Sequence, residues 1–133
     1  MEVTPAAHAA ALWAGLSLIL LLVLSVLVVR QRQKHQVLLG DGGVPELAQA
    51  IRAFGNAAEY IAPGLAGLAI LAIAGAPAYA IHTCGGVLFL GRVTHAVALS
   101  RSSGATRLRA AGMVLTWLAF ILEAVGLLLF APG

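Results

Sequence analysis

The sequence predicts an all-α membrane protein, a single-domain bundle of four transmembrane helices running up and down. Three observations predict it. Of the 133 residues, 61% are hydrophobic and only 10% charged, against about 25% charged in an ordinary soluble domain; a soluble fold of this size could not hide that much apolar surface. Runs with few or no charges, of the length a bilayer demands (about 20 residues at about 1.5 Å rise each), occur four times. Lysine and arginine gather between the first and second runs and between the third and fourth, and are missing between the second and third.

The first helix is expected over about residues 9–33, because Ala9 to Val29 carries no charge and ends at Arg30, Arg32 and Lys34. It is expected to stay in the mature protein: the N-terminus begins with Glu2 rather than a basic segment, and the apolar run is too long for a signal core. Gly40, Asp41, Gly42, Gly43 and Pro45 form a loop, with Pro45 suited to the first turn of the second helix, expected over about 46–75. Ala58, Ala62, Ala66 and Ala74 recur on that helix at multiples of four, with Gly64 and Gly67 between them. Small residues so spaced let helix backbones approach closely in lipid.

A turn at Gly75, Ala76 and Pro77 leads to the third helix, expected over about 78–100 and interrupted only by His82, Arg92 and His95. Ser100 to Gly104 breaks it from the fourth, expected over about 107–131, whose one internal charge past its basic start is Glu123. By the positive-inside rule both basic loops face the cytoplasm and both termini face out.

The net charge of +3 resides in these loops, so membrane orientation accounts for it and nucleic-acid binding is not indicated. The lone Cys84 permits no internal disulfide, and no CxxC or HxxxH pair suggests a metal site. Cys84 reads as a small packing residue.

Arg52, Asn56 and Glu59 lie at i, i+4 and i+7, within about 60° of one another on a helix. They form one stripe. Glu59 should lie on the order of 15 Å into the bilayer, where an ionised group costs about 2.5–3.5 kcal/mol. Arg92 on the third helix, at a depth of about 10–15 Å from the same side, is the expected partner of Glu59. Pro63, one turn on, should bend the helix and free the Glu59 carbonyl. The stripe is then either a buried ion pair setting the register of two helices, or the wall of a cytoplasmic cavity lined by Arg52, Asn56, Glu59, Tyr60 and Arg92. Such a cavity suits a small zwitterionic or anionic ligand. Glu123 is expected toward the outer side, level with Ser17, as a protonated or hydrogen-bonded glutamate, with a proton-coupled role as the alternative.

The stretch Pro45, Glu46, Ile51, Arg52, Ala53, Asn56, Glu59, Tyr60 resembles the signature of the membrane-associated proteins in eicosanoid and glutathione metabolism, the MAPEG family. Gly91, Arg92, Val93, Thr94 and His95 resemble that family's third-helix motif, and the helix number, basic first loop and length are similar to its bacterial-type members. The resemblance implies a homotrimer in a bacterial inner membrane that binds glutathione as co-substrate between neighbouring subunits. It assigns glutathione contacts to Arg52, Asn56, Glu59 and Tyr60, with Arg30, Arg32, Arg92 and His95 as further contacts. Glutathione carries two carboxylates and one ammonium, which arginine forks and a glutamate can hold.

The resemblance also implies an arginine near the start of the fourth helix that stabilises the glutathione thiolate, since an adjacent cation lowers a thiol pKa from about 8.5. Arg107 is the closest positional match, with Arg101 and Arg109 as rivals. Leu99 stands where family members usually carry a tyrosine. The expected activity is a glutathione transferase or peroxidase acting on a hydrophobic small molecule or lipid hydroperoxide drawn from the membrane lipids. The alternatives are a non-catalytic member binding a lipid or other anion in the same cavity, and an exporter built round one membrane glutamate. An exporter would need an unpaired carboxylate open to substrate.

Overall fold

The computed structural model describes residues 2–130 and is all helical: α1 spans Pro5–His35, α2 Pro45–Ile73, α3 Ala78–Arg101 and α4 Arg107–Phe130. All four are long and apolar enough to cross a membrane. The expected end of the last helix, Ala131, lies outside the described residues.

Local chemistry sets the helix ends. α1 starts earlier than expected because Thr4 caps it, its Oγ1 accepting from the Ala7 N–H at 3.2 Å, with Pro5 in the first turn. It ends at Gln36 in the left-handed region, φ 57°. In the following loop the Asp41 carboxylate accepts from the Gly43 N–H at 2.9 Å and its carbonyl from Val44 at 2.9 Å. Arg32 ties the same loop back to α1 by donating to the Gly40 carbonyl at 2.9 Å. α2 runs unbroken through Pro63 and closes at Ile73, before Gly75 at φ +90° turns the chain toward α3.

The turn end of the bundle is sealed by Ala6 and Ala9 of α1 against Leu68 and Leu71 of α2 and Ile81 and Cys84 of α3. At the basic end Leu24 packs with Ala53, Ala57 and Ile61 of α2 and Ala96 and Leu99 of α3. These pairings join the start of one helix to the end of the next, so α1, α2 and α3 run antiparallel in sequence. α2 and α3 form the centre. Each touches both outer helices, whereas among the described residues α1 and α4 do not meet.

The closest approach is between α3 and α4, where two glycines lie face to face. A Cβ on Gly112 would come within 2.6 Å of the His95 backbone nitrogen, and one on Gly91 within 2.9 Å of the Thr116 nitrogen. Only hydrogen fits there. The outward faces differ in kind. α1 and α4 present large aliphatics such as Leu18, Ile19, Leu22, Ile121, Leu128 and Leu129, each more than half exposed. α2 presents Arg52, Glu59, Ala62 and Ala66. The first kind of face suits hydrocarbon, and the second does not.

Candidate functional site

Arg92 is the largest fully buried side chain, 1% exposed. It sits at the α2–α3–α4 junction because its neighbour Gly91 lets α4 close over it. Its Nε donates to Thr116 Oγ1 at 2.8 Å and its Nη1 to Asn56 Oδ1 at 2.7 Å. Nη2 reaches Met113 Sδ at 3.2 Å and the Gly112 carbonyl at 3.5 Å. The guanidinium also lies 4.8 Å from the ring centroid of Tyr60, which packs on Phe120. A charge-assisted hydrogen bond contributes about 1.5–3 kcal/mol, and a desolvated cation–π contact about 2 kcal/mol. Several neutral acceptors and one aromatic face therefore hold the cation in place of a carboxylate.

The expected Glu59–Arg92 pair does not form, and helical phase explains why. Asn56 is rotated about 60° further toward the bundle core than Glu59. Asn56 is accordingly 6% exposed, while Glu59 faces outward. There Glu59 Oε1 accepts from Arg52 Nη1 at 3.1 Å, with both side chains more than half exposed. The single cavity expected from Arg52, Asn56, Glu59, Tyr60 and Arg92 is thus divided in two. Asn56, Tyr60 and Arg92 bind one another inside, and Arg52 and Glu59 form a charged couple outside.

Two grooves flank that couple. One, of about 510 Å³, runs between the α1–α2 loop and α2, lined by Arg32, Asp41, Ile51, Arg52, Gly55 and Glu59 among others. The second, of about 350 Å³, lies between the starts of α2 and α4 and is lined by Gln49, Arg52, Leu99, Ser103 and Arg109 among others. Arg52 borders both. Arg109 is half-buried: its backbone N–H donates to Thr106 Oγ1 at 3.1 Å, and its Nη1 to the Ser103 carbonyl at 3.4 Å. Arg107, the first residue of α4, is exposed and lines neither groove, and Arg30 is exposed on α1. His95 is buried, with its backbone against Gly112 of α4.

Leu99 is buried in the core at the basic end, and its carbonyl accepts from the Gln49 amide. Glu123 faces Gly67 of α2. Cys84 is a buried core residue. Among the described residues no group of three metal-ligating side chains gathers.

Thr116, Gly112 and Met113 complete the Arg92 shell but carry no charge, so sequence reasoning passed over them. The available signal was spacing: Gly112 and Thr116 at i and i+4 on one helix mirror Gly91 and His95 on another, the small-residue pattern of a close helix crossing.

The profile of the MAPEG family matches residues 10–129. The chain is also 39% identical over 122 residues to "Inner membrane protein YecN" of Escherichia coli strain K12, covering 92% of each chain. The same protein from Escherichia coli O6:H1 matches equally.

Proposed function

The chain belongs to the MAPEG family, and from that premise we propose that it is a membrane-bound, glutathione-dependent transferase or peroxidase acting on hydrophobic electrophiles or lipid hydroperoxides. The observation that carries the proposal is the Arg52–Glu59 couple on the outward face of α2. Two charges in the spanning part of a helix cost about 2.5–3.5 kcal/mol each against hydrocarbon, so that face meets protein, water or a ligand. A homotrimer packed through α2 would give it a neighbour. Glutathione would give it a partner, because a zwitterion can divide an ion pair, its carboxylate taking Arg52 and its ammonium taking Glu59.

Arg92 acts one layer behind. By accepting from Arg92, Asn56 Oδ1 is fixed in one orientation, leaving the amide N–H groups as the donors free for a ligand. Arg92 is then a positioning residue for Asn56 and Tyr60. The thiolate needs a cation in the same groove. Arg109 borders Arg52 within one protomer, whereas Arg107 would have to serve a groove completed by a neighbouring copy.

The relatives are named as inner membrane proteins, and this chain is proposed to span the same kind of membrane. Its basic loops would be cytoplasmic, placing the Arg52 grooves on the side where the positive-inside rule sets them. Calorimetry on detergent-purified protein tests the reading: millimolar glutathione should bind to the native chain and not to Arg52→Ala, and no heat from the native chain rejects it. A second reading, ligand binding without turnover, is favoured by Leu99, whose buried aliphatic side chain offers no hydroxyl. Turnover of a chlorinated aromatic or a hydroperoxide with glutathione decides against that second reading.

A further inference from the structure

Glu123 is a buried titratable group that the Arg52 face does not use. It projects from α4 at 4% exposure. Its Oε2 lies 2.5 Å from where a Cβ on Gly67 would stand, so the carboxyl rests against the α2 backbone. Its Oε1 is shielded from solvent and has no hydrogen-bond partner among the described residues.

Among the described residues no cation pairs with it. From α2 it meets Gly67, and from α3 the titratable group near it is the Cys84 thiol. His82, two residues before Cys84, is turned to α1, where Trp13 Nε1 donates to its Nδ1 at 3.2 Å. α1 does not reach α4. Arg92 is held by Thr116, seven residues of α4 away, or about 10 Å, and each of its three nitrogens already donates to a neighbour there. Arg52 and Glu59 answer each other on the outward face. Among the described residues an ionised carboxylate here finds neither donor nor countercharge to replace its water, whereas the acid form needs neither.

Gly67 is also the thin point of the wall. It is half-buried, with Ala66 exposed beside it, so the carboxyl lies one backbone layer behind the small-residue face of α2. We propose that Glu123 is an exchangeable proton-binding site in the turn-end half of the bundle, separate from the Arg52 grooves. Its ligand is a single proton, carried by a carboxylic acid seated on Gly67.

Infrared difference spectroscopy of the full chain, native against Glu123→Gln, in vesicles of phosphatidylethanolamine and phosphatidylglycerol tests this. The native protein should show a carboxylic-acid carbonyl band at neutral pH that is absent from Glu123→Gln and shifts to lower frequency in D2O. Carboxylate bands in its place overturn the proposal, and so does an acid band unmoved by D2O, which marks a locked structural proton. Dicyclohexylcarbodiimide gives a test on native protein alone, should the variant not fold. The acid proton passes to a carbodiimide nitrogen while the carboxyl oxygen bonds to the central carbon, and acyl migration then yields a stable N-acylurea with nothing lost. Mass spectrometry should find one such adduct on the Glu123 peptide, declining as pH rises. An unlabelled Glu123 at neutral pH overturns the proposal.

Discussion

Arg92 Nη1 donates to Asn56 Oδ1 at 2.7 Å, joining α3 to α2 where the nearest glutamate on the same stripe, Glu59, is turned outward to Arg52. A buried cation resting on neutral acceptors depends on each of them. Removing Asn56 with Asn56→Leu leaves one N–H without a partner, at a cost of about 1–3 kcal/mol. Arg92→Ala should cost more, about 2–5 kcal/mol, by stranding Asn56 and Thr116 and opening a cavity under Tyr60. Arg92→Lys should not rescue stability, because one ammonium lacks the planar fork that spans Asn56 and Thr116 together. Unfolding in mixed detergent, with the double variant to expose coupling, measures all of these.

The α3–α4 crossing depends on the absence of two side chains. Gly112→Ala would place a methyl within 2.6 Å of the His95 backbone, and since backbone cannot swing aside the helices must part. The expected loss is about 1–3 kcal/mol, with the Arg92 bonds to Thr116 and Met113 weakened in consequence. Gly15→Ala is the control: nothing lies within 4 Å of a Cβ there, so helix propensity alone should stabilise by about 0.5–1 kcal/mol. Equal effects at the two positions would refute the steric account.

Four apolar runs and their basic caps were enough to read the helices, because a membrane span announces itself by composition. The stripe of Arg52, Asn56 and Glu59 was equally visible, but its orientation was not. A rotation of about 60° decides whether a residue faces the core or the outside, and only the packing of Ala53, Ala57 and Ile61 sets that phase. Glu59 therefore looked like the partner of Arg92 when Asn56 is. Thr116 showed only as half of the Gly112–Thr116 spacing, and Met113 not at all, for a simpler reason: neutral acceptors on a distant helix become partners only once Gly91 and Gly112 bring the backbones together.

Arg52 and Glu59 should matter for binding and little for folding. Their bond is solvent-facing in the protomer, with side chains 54% and 57% exposed, and such pairs contribute at most about 1 kcal/mol. Glu59→Gln should leave the melting temperature of the detergent-solubilised protomer nearly unchanged. Its glutathione affinity should fall tenfold or more, the loss expected for one charge-assisted hydrogen bond of about 1.5–3 kcal/mol. Titration calorimetry and a thermal melt on the same sample separate the two effects.

Three arginines compete to stabilise a glutathione thiolate, and pH dependence can choose among them. A guanidinium beside the sulfur favours the anion and holds the thiol pKa below its free value of about 8.5. Taking that charge away raises the pKa again, so activity at neutral pH should drop and recover as pH climbs, shifting the rate profile to higher pH. Arg109 borders the Arg52 groove and Arg107 does not, so within one protomer Arg109→Gln should produce the shift while Arg107→Gln leaves the profile in place. A shift with Arg107→Gln instead would mean that the catalytic groove closes only between copies. Mixing the Arg107→Gln and Arg52→Ala chains should then restore part of the activity, since some assembled sites would draw an intact Arg52 from one copy and an intact Arg107 from another.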